Sequence, residues 1–128
     1  MIHHLDHLVL TTADEQACID FYVGLLGMTL ETFGQGRKAF KFGGQKINLH
    51  VKGSEFEPKA HLPVPGALDL CFIAARPLGE VIARIQRTRR ADRRGPGAAH
   101  RAPATRCAPI YLRDPDLNLI EISERAEA

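Results

Sequence analysis

Two stretches of this chain run through one order of elements, and a fold that explains the sequence has to accommodate that order twice. In the first, Leu5 to Leu10 is a β-branched and leucine run, and Thr11 to Asp14 offer helix-capping groups. Cys18, Phe21, Tyr22, Leu25 and Leu26 then follow helical spacing up to a stop at Gly27. Short strands are expected at Met28–Phe33, Lys38–Phe42 and Lys46–Val51, separated by glycine pairs at hairpin spacing. Residues 53–66 hold three prolines and no periodicity, and read as a connector. The second stretch opens with an apolar strand, Ala67–Ala74. Pro77 leads a helix with Leu78, Val81, Ile82 and Ile85 on one face, and a hairpin around Asp114–Asn118 closes it. A repeat of element order at half the chain length marks a duplicated unit even without sequence identity. The expectation is one α+β domain over 1–128, with module one at 1–52, a connector at 53–66 and module two at 67–123.

Bulk properties narrow the function. With 45% hydrophobic and 25% charged residues, the 128-residue chain can bury a core of its own. It shows no leader pattern and no long apolar run, so a cytoplasmic protein without membrane contact is expected. Three cysteines without a CxxC pair argue against a disulfide framework, and Cys18 and Cys71, in apolar runs, read as small hydrophobes.

Four strand-like runs each carry a metal-ligand type: His7 in LDHLVL, His50 in KINLHV, Asp69 in ALDLCFI and Glu121 in NLIEISE. Imidazole and carboxylate suit a borderline or hard divalent cation, which can polarise an oxygen or acidify a water. Taken singly, each has a plainer role. His7 is a strand histidine with a local partner, His50 lines a pocket, and Asp69 is a strand-end carboxylate that needs a partner if buried. Arg37, Lys38 and Lys41 near a hairpin could draw an anionic substrate or serve as ordinary edge cations. Leu117 stands in a turn where glycine tolerates positive φ, so a strained or altered hairpin is expected.

The phrases LDHLVLTTAD, DFYVGLLGM, AFKFGGQKINLH and YLRDPDLNLIEIS together resemble the vicinal oxygen chelate superfamily, which includes glyoxalase I, fosfomycin-resistance proteins and extradiol dioxygenases. The small single-domain glyoxalase-domain proteins are the subgroup most similar, through INLH followed by EFEPKA. The resemblance covers residues 1–85 and 110–123. It implies two βαβββ modules curving around a divalent metal (Mn²⁺, Mg²⁺, Zn²⁺, Ni²⁺ or Fe²⁺), often in a homodimer. By position it places metal ligands at His7 and Glu121, and a third at Asp69 where the family usually has histidine. The remaining ligand falls on Asn48 or His50, which share a strand face, and basicity favours His50. Asp69, if not a ligand, is the candidate general base. The implied activity is lyase or isomerase chemistry on a small oxygenated metabolite, with dioxygenase chemistry less expected. The alternative is a binding module that holds a small molecule without metal.

Residues 84–106 depart from this pattern. Eight arginines face one acid there, giving +7, while the remaining 9 basic and 14 acidic residues leave −5. Between Gln86 and Pro109 there is no valine, isoleucine, leucine or aromatic residue. Module two is therefore expected to be incomplete at 86–109, one strand being absent or poorly paired. Such a run invites a nucleic-acid reading. A shifted reading frame is preferred: with GC-rich codons, residues 86–101 read one base later give SARGVPIEEGPVPRT, which supplies a turn and a Val/Ile strand. Nucleic acid is not an expected partner.

Overall fold

A computed structural model describes residues 1–91, 100–101 and 108–125. The chain divides into two compact units, Met1–Ala67 and Leu68–Ala128. Each contains a sheet and a helical segment, as expected for the two-module mixed α+β fold.

In the first unit, β1 (His7–Thr12) leads into α1 (Glu15–Ile19) and a π-helical segment (Asp20–Leu25), followed by β2 (Thr29–Phe33), β3 (Arg37–Phe42) and β4 (Gln45–Val51). Asp14 caps α1 by accepting from the Ala17 N–H at 3.1 Å. One continuous helix was expected, but Leu26 N donates to Phe21 O, five residues back. The wider turn lets the neighbours Phe21 and Tyr22 both point into the core. The sheet order is β1-β4-β3-β2, with β1 parallel to β4 and the other pairs antiparallel. Leu10, Phe40, Ile47 and Leu49 are buried, and Tyr22 stacks on Phe40 at 5.1 Å between centroids. Burying each such side chain contributes about 1.5–3 kcal/mol. Lys38, for which an anion-attracting or an edge-cation role is open in the sequence, turns to this side of the sheet and pairs with Glu15.

The second unit repeats the arrangement in thinner form. β5 (Asp69–Ile73), α2 (Leu78–Ala91), β6 (His100–Arg101), β7 (Ile110–Arg113) and β8 (Leu119–Ser123) give the sheet order β5-β8-β7-β6. Leu78, Ile85, Ile110, Leu112, Ile120 and Ile122 are buried. Residues 86–91, read above as part of the breakdown, continue α2, because arginine and alanine are good helix formers whatever their charge. The expected incompleteness appears at β6, where two residues pair with β7. The rest of that expectation falls on residues 92–99 and 102–107, which lie outside the described residues. No helix among the described residues is long and apolar enough to cross a membrane.

Candidate functional site

Strand alternation gives each sheet a core face and a second face, and the chemistry-bearing residues lie on the second. In unit one the register pairs His7 with Lys46, Val9 with Asn48 and Thr11 with His50. Since Leu8, Leu10, Ile47 and Leu49 take the core side, His7, Asn48 and His50 share the opposite one. Arg37 and Lys41 share it too, as Ala39 pairs with Asn48 and Lys41 with Lys46.

His7 is exposed and lies with Nδ1 2.7 Å from Asp6 Oδ2. That hydrogen bond is the main cause that holds the Asp6 carboxyl below its usual range. A carboxylate on Nδ1 fixes the tautomer with the Nε2 lone pair outward, the arrangement that metal-ligating histidines adopt. Asp6 was not singled out from the sequence. Neighbours in a strand point to opposite faces, and only the start of β1 at His7 frees Asp6 from that rule.

His50 has a different environment. It is 9% exposed, and its Nδ1 is buried with no hydrogen-bond partner. Asn48 Oδ1, two residues earlier on the same face, is likewise buried and unpartnered. The Phe56 ring meets His50 edge-on at 5.8 Å, and the Arg37 guanidinium lies over Phe56 at 4.7 Å. Burial first, then the positive charge of Arg37, pushes the His50 imidazole below its ordinary value, against opposing pulls from Glu55 and Glu57.

The two histidines are not brought together. His50 lies four residues along from the position opposite His7, roughly 13 Å at about 3.3 Å per residue. Two imidazoles with metal–nitrogen bonds of about 2 Å do not span that gap from neighbouring strands.

In unit two Asp69 and Glu121 share a face on the adjacent parallel strands β5 and β8. Asp69 pairs with Leu119 and Cys71 with Glu121, so the carboxylates are offset by two residues, roughly 7 Å along the strands. Glu121 is half-buried and accepts from Ser123 Oγ at 3.3 Å, while Asp69 is exposed. Cys71 lies on this face as well. It is exposed rather than a core hydrophobe, with Sγ 3.8 Å from Ser123 Oγ. Period-2 alternation from Asp69 was the available signal for Cys71.

The turn between β7 and β8 positions both carboxylates. Asp114, fully buried, accepts from the Asp116 and Asn118 N–H groups at 2.9 Å each and from Asn118 Nδ2 at 2.7 Å. Asn118 Oδ1 in turn accepts from Leu68 N at 2.8 Å, so the turn that launches β8 also ties down the residue before Asp69. Asp and Asn occupy these positions because short polar side chains reach the turn's own backbone donors. Among the described residues no three His, Cys, Asp or Glu side chains gather into a metal-binding group. The candidate ligands are imidazoles in unit one and carboxylates in unit two.

Comparison with known proteins agrees with this architecture. Residues 4–122 match the model of the Glyoxalase/Bleomycin resistance protein/Dioxygenase superfamily. Virulence protein STM3117 of Salmonella typhimurium is 49% identical over 125 residues, which are 97% of this chain and 85% of that protein. Glyoxalase domain-containing protein RDO1 of Mycosarcoma maydis is 47% identical over 127 residues, 99% of this chain and 71% of the relative. The crystal structure of the Salmonella virulence protein superimposes with a TM-score of 0.80 at 43% identity, covering 98% of this chain and 99% of that one.

Proposed function

The chain belongs to the glyoxalase/bleomycin resistance protein/dioxygenase superfamily, and from that membership we propose that it is a metal-dependent enzyme acting on a small oxygenated metabolite, by lyase or isomerase chemistry. The observation that carries the reading is the His7–Asp6 pair at 2.7 Å, which, with the proton on Nδ1, turns the Nε2 lone pair outward toward a metal. His7 and Glu121 would hold a divalent ion, with Asp69 as a further ligand or, if unligated, as the base that takes a proton from substrate. Mixed imidazole and carboxylate donors suit Mn²⁺, Zn²⁺, Ni²⁺ or Fe²⁺, and Mg²⁺ if the carboxylates dominate. When bound, such an ion supplies Lewis acidity toward a substrate oxygen. The four-residue offset between His7 and His50 supports a substrate-facing His50 rather than a second imidazole ligand to the same ion. Ser123 orients Glu121, and the Asp114 turn holds β8 and the start of β5 in place.

We expect near-stoichiometric divalent metal in elemental analysis of the purified chain after metal addition. Glu121→Ala and His7→Ala should lose it while their circular dichroism stays that of the parent. Absence of metal from the parent chain would instead support a metal-free module that only binds a small molecule. The family often pairs chains, and a homodimer acting away from membranes in the cytoplasm is part of the same proposal.

A further inference from the structure

Four side chains on the second face of unit one form an arrangement that neither the core nor the metal reading uses. Asn48 Oδ1 and His50 Nδ1 are buried and lack any hydrogen-bond partner, although native proteins satisfy nearly all such atoms and leaving one bare costs about 1–3 kcal/mol. They stand two residues apart on β4 and so point the same way. Beside them, Arg37 is laid over Phe56, whose ring edge meets His50. The ring contact holds the guanidinium beside His50, and its N–H fork matches a carboxylate in bidentate fashion. Arg37 pairs with no carboxylate among the described residues. Lys41 faces Glu31 at 3.8 Å, and the Lys46 ammonium lies over Phe33, the cross-strand partner of Arg37. A guanidinium without a carboxylate partner next to two unpaired polar atoms suits a ligand with a carboxylate and a neighbouring polar hydrogen.

We propose that Arg37, Phe56, Asn48 and His50 form a recognition subsite for a small hydroxymonocarboxylate, the carboxylate on Arg37 and the hydroxyl on Asn48 and His50. The hydroxyl donates its proton to Asn48 Oδ1 and accepts from His50 Nδ1–H in the tautomer protonated there. Glu55 and Glu57, whose charges act on His50, select against di- and trianions. The inference rests on the reading above only in taking this face as the one that meets substrate.

The test is ligand-observed NMR titration of the full chain, as purified and again after chelator treatment, with lactate, glycerate and mandelate, each beside its primary amide. The expected result is binding of at least one acid in both preparations, with its amide at least tenfold weaker. Arg37→Met should erase that preference, Arg37→Lys should leave part of it, and both should keep the parent's metal content. Asn48→Ala should weaken the hydroxy acid but not its deoxy counterpart. Equal affinity for acid and amide, an unchanged Arg37→Met variant, or no binding by any of the three acids would overturn the proposal. Acid binding that survives the chelator while Glu121→Ala changes nothing in metal content would sink the metal reading and leave this one standing.

Discussion

The two units share an element order but solve the same problems with different residues. Unit one turns its hairpins on glycine, with Gly34, Gly36 and Gly43 all at positive φ, and builds four strands of five to seven residues. Unit two turns its last hairpin on Leu117 at φ 69°, and its fourth strand is two residues long. The faces differ in the same spirit. Unit one presents imidazoles and an arginine against aromatic rings, partly dry, whereas unit two presents carboxylates, a thiol and a hydroxyl that are largely wet. A duplicated fold can thus divide its chemistry, since each copy diverges on one face while alternation preserves the other for the core.

If the second unit depends on its polar turn as the first does on its apolar core, Asp114→Ala should have the largest effect. It strips three donors of their acceptor inside the protein, and we expect about 3 kcal/mol of lost stability in urea denaturation. Hydrogen exchange should show β5 and β8 losing protection before β1 and β4; equal loss across both sheets would break the comparison. The turn itself allows a smaller change of opposite sign. Leu117 is 61% exposed, so Leu117→Gly relieves the left-handed strain without removing packing and should add about 1 kcal/mol, visible as a raised melting temperature. The smallest effect concerns pH. Burial holds the His50 imidazole in the folded chain below its ordinary 6.5, so folded and unfolded states are both neutral above that value. As pH falls through 6.5, the unfolded chain takes up a proton the folded chain resists, and stability declines until the folded pKa is passed. A His50→Gln variant should show a shallower decline between pH 7 and 5 in thermal melts, and a slope identical to the parent would assign the pH dependence elsewhere.

Much of this architecture was readable in the residues. Period-2 alternation put Asn48 and His50 on one face, and helical spacing identified Phe21, Tyr22 and Leu25 as core. The Asp-Pro-Asp-Leu-Asn run announced both a turn and a strained leucine. Other features were illegible because they depend on where strands begin and how they pair. Asp6 reaches His7 only because β1 starts one residue later than Asp6. Lys38 finds Glu15 only after β3 settles its register against β4. Cys71 sits in an apolar run yet lies exposed, and alternation from Asp69 signals this only once the face that Asp69 takes is known.

By itself the sequence determined the element order, the two modules, the family and the strands that carry the candidate histidines and carboxylates, because these follow from local periodicity, turn chemistry and short motifs. The tertiary structure decided which of those residues share a sheet face and how far apart along it they lie. Strand register is a non-local quantity that fixes offsets along a face: four residues, roughly 13 Å, between His7 and His50, but two residues, roughly 7 Å, between Asp69 and Glu121.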